Sequence, residues 1–460
     1  MGYRSNSIQH DQADQSIATK TAALLSLSPL LLAMKTLISI LISLLVTGCG
    51  KKQPTNSNQD KNPPVPLPYQ KAKKETPSKN DVNNSTPENP LSEVTPRPKI
   101  TLAEAEKVAK NLQAAVEMEN SEIVFRLINR DILIGRAMPK SLTDAQQKKE
   151  IIAGARAAFK EILLQNLSMG TYQFLRVSKT PDGVQATMRL ILPNGGVNYH
   201  HLVLGRRIDM KPCVVDIFAY TSGEYLSQTF GRLITHSMPA VKLTDATAMQ
   251  GIKQFEDMTM AMQKGAFSRA LTIYEGMQPN WKQQKTTMQM RIVAANQVAV
   301  SNLQQSQPMG DEYRKAVEDF RRTFPNAKNL SLLLIDFYTL NKDYKQARAA
   351  VDQLDKQVGG DPYLNFIRGN IALSQGKKQA GKDLFIKLTK DMPKNPAPYF
   401  TLIDLALMDK NYKEVTRLLI NTEENTPVRF DPDFNGIDSY KDYLASPENI
   451  KWKAYKKGGK

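Results

Sequence analysis

The chain has 460 residues, 41% hydrophobic and 23% charged, which is enough for two or three domains with substantial cores. Its formal charge of +17 favours acidic partners in general. Much of that excess lies in two polar runs, Lys51 to Lys79 and Lys451 to Lys460, so it describes solubilising tails and gives no reason to expect nucleic acid.

The first apolar stretch runs from Thr21 to Val46, but Lys35 divides it. Each piece falls short of the roughly 20 continuous apolar residues that one membrane span needs. Read from Met34, "MKTLISILISLLVTGC" has a positive end, a short apolar middle and small residues before Cys49, the layout of a secretory signal. Val46-Thr47-Gly48-Cys49 also resembles the lipobox of bacterial lipoproteins. That resemblance implies that residues 34–48 are removed as a signal peptide and that Cys49 is lipidated with diacylglycerol and acyl chains such as palmitate. Gly50, and not Asp, follows Cys49, which by the same resemblance implies the outer membrane of a bacterial cell envelope, facing the periplasm. An ordinary cleaved signal, or a buried apolar helix with an unrelated Cys, stays open as an alternative. Residues 1–33 fit neither signal nor core, and translation is expected to start at Met34.

Residues 49–100 carry the lipidated Cys and then a linker rich in Pro, Lys, Asn and Ser, as in "PPVPLPYQKAKKETPSK". Such a segment has too little apolar surface to offset the entropy of ordering, so it is expected to be a disordered, extended tether. With Cys49 acylated, Cys213 is the one remaining thiol, and "PCVVDIFAY" reads as a strand that buries it as a small hydrophobe.

A first folded domain is expected over 101–238. "TLAEAEKVAKNLQAAVEM" opens with a capping box, Thr101 and Glu104, and places Leu102, Ala105, Val108, Ala109, Leu112 and Val116 on one face. "SEIVFRLINRDILIG" predicts a second helix from Ser121 to Gly135, and a third runs from about Asp144 to Leu167. Beyond Gly170 the period shortens. "TYQFLRVSK", "VQATMRLILP", "VNYHHLVLGRR" and "VVDIFAY" read as strands joined at Pro181-Asp182-Gly183, at Asn194-Gly195-Gly196 and through Pro212. They predict a four-stranded antiparallel meander with helices over one face, an α+β fold closed by a helix that stops before Pro239. This element order resembles the nuclear transport factor and cystatin-like superfamilies, which implies a hollow between helices and sheet. Neighbouring strand residues point to opposite faces, so His200 and His201 cannot share a metal ion. One of them is expected to be exposed and the other packed. No phosphate loop, dinucleotide fingerprint or catalytic triad stands out, so no cofactor, metal or catalytic residue is expected.

Over 245–430 the sequence repeats itself. "NKDYKQARAAV", "SQGKKQAGKDLF" and "MDKNYKEVTRLL" align at a spacing of 34 residues, with Tyr344, Lys378 and Tyr412 coincident, and likewise Ala347, Gly381 and Val415. This period resembles the tetratricopeptide repeat. Gly369 fits its small position on the first helix, Tyr338, Ala372 and Ala406 its position three residues on, and Gly376 its turn. A looser copy upstream supplies Gly265, Phe267, Ala270 and Tyr274, and another supplies Tyr313, Ala316 and Phe320. Three clear repeats and two degenerate ones are therefore expected, with Val415 crowding a site that favours Ala. Residues 431–460 are expected to form a capping helix and basic tail.

The resemblance implies an all-α superhelix whose concave groove takes a protein partner. The whole layout predicts a membrane-anchored adaptor without enzymatic activity. A carrier or enzyme using the hollow of 101–238 is the alternative. The partner's identity and the oligomeric state are not written in the sequence.

Overall fold

The computed structural model describes residues 99–458, apart from 141, 147, 150, 154–155, 157–166, 168–169, 182, 193–194, 242–245, 309 and 435–436. The side chains of Leu233 and of residues 235–249 also lie outside it. So do Cys49, the signal, the tether and most of the third expected helix.

Helix α1 (Leu102–Glu117) starts at the capping box: Thr101 Oγ1 accepts from the Glu104 amide at 3.2 Å, and Glu104 accepts from the Thr101 amide at 2.9 Å. The second expected helix is two helices, α2 (Ser121–Leu127) and α3 (Arg130–Ala137). Asn120 and Asn129 each cap one of them. Between the two, Ile128 leaves the helix to bridge Val214, which breaks what the apolar periodicity suggested was continuous.

Five strands follow in one antiparallel sheet: β1 (Thr171–Thr180), β2 (Gly183–Ile191), β3 (Val197–Arg206), β4 (Pro212–Ala219) and β5 (Glu224–Tyr225). The meander therefore has a fifth, two-residue strand that the expected four omitted, since two residues carry no periodicity. Helix α4 (Leu226–Val241) continues through Pro239, past the stop that this residue predicted.

The remainder is helical. Five antiparallel pairs succeed one another: α5 (Ala246–Gln263) with α6 (Phe267–Gly276); α8 (Lys285–Gln304) with α9 (Glu312–Thr323), after the single turn α7 (Pro279–Lys282); α10 (Leu330–Leu340) with α11 (Tyr344–Val358); α12 (Leu364–Ser374) with α13 (Lys378–Asp391); and α14 (Ala397–Met408) with α15 (Tyr412–Asn425). Each pair packs on the next, and the short α16 (Lys441–Leu444) and α17 (Pro447–Lys457) close the end against α15. There Trp452 and Tyr443 are fully buried beside Phe434 and Val415. None of the described helices is long and apolar enough to cross a membrane.

The sheet is buried on both sides. Ala186, Met188, Leu190 and Leu202 share one core with α1, whereas Ile191, Val197, Tyr199, Phe218 and Tyr220 share another with α10, α11 and α12. The sequence pattern predicted helices over one face only.

Candidate functional site

The residues singled out for repeat packing occupy consistent places. Ala270, Ala347 and Val415 are buried without measurable exposure at the foot of each second helix, and Gly381 takes the equivalent place in α13. Gly369 has the least room: a Cβ there would sit 2.6 Å from the Phe385 ring, so only a hydrogen lets α12 and α13 approach. Gly265 and Gly376 adopt φ of +72° and +76° in the turns between paired helices, a conformation that suits glycine. Tyr344 reaches across to the next pair and donates to the Ser374 carbonyl at 2.6 Å. Tyr412 faces Tyr443, with ring centroids 6.1 Å apart. Phe267 and Tyr338 are half-buried, and Phe337 packs between Tyr338 and Tyr313.

One face of the array is taken by the protein's own sheet. Asp361, between α11 and α12, is fully buried and accepts from Arg189 of β2 and, at 2.7 Å, from the Tyr199 hydroxyl of β3. The guanidinium also bonds Gln173 and lies over the Tyr363 ring at 5.5 Å. Burial, and then the Asp361 charge, push the Tyr199 hydroxyl far above its ordinary range, so it remains a donor. Gly359 and Gly360, at φ +79° and +95°, end α11 in a turn that brings the Gly360 carbonyl to Arg176 of β1.

Two sheet turns complete the seam. Gly195 carries the β2–β3 turn against Phe366, and its carbonyl accepts from Tyr363 Oη at 2.7 Å. Beyond β4, the carbonyls of Ser222 and Gly223 accept from Gln289 and Lys285 of α8 at 2.9 and 2.6 Å. A Cβ on Gly223 would strike the Asn329 amide at 2.2 Å. Sequence reasoning missed this seam because its partners lie far apart, Arg189 and Asp361 being separated by 172 residues.

The seam follows the 34-residue spacing and then stops. Leu332 and Phe366 are 7% and 6% exposed within the core that includes the sheet, whereas the next residue in that column, Phe400 on α14, is 40% exposed. Met408 at the far end of α14 is 41% exposed, and Asp404 lies between them on the surface. The column that the sheet covers at Leu332 of α10 and Phe366 of α12 is thus exposed at Phe400 of α14.

Both adjacent histidines are buried, contrary to the expectation that one is exposed, because both faces of the sheet are covered. Asn198 Oδ1 accepts two backbone amides, so its Nδ2 donates to His200 Nε2 at 3.0 Å. His200 is consequently neutral, with its proton on Nδ1 toward the Tyr172 hydroxyl at 3.2 Å. His201 faces the other way, edge-on to Tyr220 and beside Phe218. Burial lowers both to about 4, assisted for His200 by His201 and for His201 by Lys328. Cys213 is a fully buried thiol. Among the described residues, the space between α1 and the sheet is packed with Ala105, Val108, Leu112, Met188 and Leu202. No three metal-ligating side chains converge among the described residues.

Comparison with protein-family models, with curated proteins and with solved structures returns no match to this chain.

Proposed function

We propose that this chain is a lipid-anchored adaptor of a bacterial envelope, held through Cys49 and binding a protein partner with a tetratricopeptide-like superhelix. The observation that carries the reading is the stacking of five helix pairs around small residues such as Gly369, which faces Phe385 at a distance no larger side chain permits. Pairs of this kind bury apolar faces against their neighbours in the stack, and the array they form is a surface for other chains. The seam limits where a partner fits. Its docking surface is the stretch that the sheet leaves open, Phe400 to Met408 on α14, extended by Phe430, whose ring meets Phe400 edge-on at 6.0 Å. The filled space beneath α1 gives the alternative, a ligand carried in a hollow, no support among the described residues.

Two measurements test the proposal. Intact mass of the protein extracted from membranes should show a chain beginning at an acylated Cys49, and Cys49→Ser should abolish both the added mass and retention at the envelope. A photoreactive residue at Phe400 should yield a discrete crosslinked protein in cells, whereas one at Lys179, on the sheet, should not. Unchanged processing of Cys49→Ser refutes the anchor, and equal crosslinking from the two positions refutes the docking stretch.

A further inference from the structure

We propose that the β3–β4 hairpin tip is a second membrane contact, which inserts Ile208 and Met210 into an anionic lipid surface while Arg207 and Lys211 lie on its phosphates. The proposal rests on the envelope reading above, because it needs a bilayer within reach.

The tip is built against ordinary turn chemistry. The Met210 amide donates to the Arg207 carbonyl at 3.1 Å, the Arg207 amide donates to the Lys211 carbonyl at 3.0 Å, and Met210 sits at φ +63°. A turn of this shape favours Gly or Asn at the left-handed position, and a bulky apolar residue there is disfavoured. Ile208, at the summit, is 89% exposed, the largest exposure of any big hydrophobic among the described residues, and Met210 is 42% exposed. Solvent alone gives no reason for either choice.

The surroundings match a headgroup region. Arg206, Arg207 and Lys211 flank the two apolar residues, and the Lys211 side chain is 77% exposed. Asp209 offsets one cation, at 3.4 Å from Arg207 and 3.6 Å from Lys211, and Glu104 pairs with Arg206 at 2.9 Å. The tip remains net positive. In an antiparallel meander the β1–β2 turn lies at the same end, where Lys179 is exposed. Long cationic side chains beside an apolar summit keep their charge at the phosphate level while the apolar groups go deeper.

Its position also fits. The β2–β3 turn and residues 222–223 dock on the helical array at one end of the sheet, so the β3–β4 tip is at the other, ~30 Å away along a ten-residue strand. The same end receives the chain from its N-terminal part: Arg206 Nη2 donates to the Lys99 carbonyl at 3.3 Å and Nη1 to the Met210 carbonyl at 2.9 Å. The chain from Cys49 therefore enters the fold at the corner that carries Ile208, and this corner is within the tether's reach of the bilayer.

The test uses the chain from residue 49 onward with Cys49→Ser, so that neither the apolar segment before it nor an acyl chain contributes and a failed anchor reading, which intact mass reports, is distinguishable from a failed tip. A bimane label is attached in turn at Ile208→Cys and at Lys410→Cys, an exposed turn of the helical array; Cys213 is buried and does not react. With phosphatidylglycerol-containing vesicles carrying a lipid-bound nitroxide, fluorescence at position 208 should fall at least twofold, and at position 410 it should not. Arg207→Ser with Lys211→Ser, or vesicles of phosphatidylcholine alone, should remove most of that quenching. Equal quenching at the two positions, no quenching at 208, or indifference to the cations overturns the proposal, and circular dichroism melts of the labelled chains confirm that both are folded.

Discussion

Replacing Asp361 by Ala tests the seam at its centre. The carboxylate has no exposed surface, Arg189 is 5% exposed, and the Tyr199 hydroxyl has the carboxylate as its acceptor at 2.7 Å. Asp361→Ala therefore leaves a buried guanidinium without its counter-charge and a buried hydroxyl without its acceptor. Removing one member of a buried ion pair costs about 3–5 kcal/mol, and this is the expected loss. Arg189→Met in the same chain removes the stranded charge and leaves the hydroxyl, so the double variant should lose only about 1–3 kcal/mol relative to the parent. Urea unfolding followed by circular dichroism gives both values, and hydrogen exchange at Gly195 and Gly223 shows whether the sheet has lifted from the array. A single variant costing under about 1 kcal/mol, or a double variant worse than the single, would refute the argument that the pair is buried and mutually dependent.

Three further predictions follow from packing and titration. Gly369→Ala places a methyl against the Phe385 ring and should destabilise by about 1–3 kcal/mol, with Phe385→Leu in the same chain recovering part of it in thermal melts. Trp452→Ala opens a cavity at the fully buried end of the array and should cost about 3–5 kcal/mol by urea unfolding. The pH dependence has two opposed parts. His201, held down at about 4, is neutral in the folded protein, so acid below its ordinary range favours unfolding, and His201→Phe should be less acid-sensitive than the parent. Burial raises Asp336 of α10 to about 7, so its contribution is full below the ordinary aspartate range and is lost as pH rises toward 7; Asp336→Asn should be more acid-sensitive than the parent. Urea midpoints at pH 7 and pH 4.5 check both signs.

Local structure was legible in the sequence where a local rule operates. The Thr101–Glu104 box, the antiparallel pairing of β1 with β2 and of β2 with β3, and the 34-residue recurrence of Tyr344, Lys378 and Tyr412 all act over a few residues, one hairpin or one helix pair. What escaped notice acts at long range. The break between α2 and α3 depends on Ile128 meeting Val214, and β5 exists because β4 offers an edge. The covered second face was not legible either: β2 and β3 are nearly continuous buried runs from Met188 to Ile191 and from Val197 to Leu202, but Arg189, Asn198, His200 and His201 interrupt them in the sequence and find their partners only in the fold. Asp361 itself reads from sequence as an ordinary residue of a Gly-Gly-Asp turn.

The wedging of the sheet into the array governs how the chain can be taken apart. Severing it near residues 242–245, where the composition invites a cut, would strip Tyr199, Phe218 and Tyr220 of their cover and leave Arg189 and Asp361 on separate pieces, each a charge in an apolar bed. Neither half is then expected to behave as a soluble module, and grafting the helical half onto another anchor would require repolishing the surface left bare.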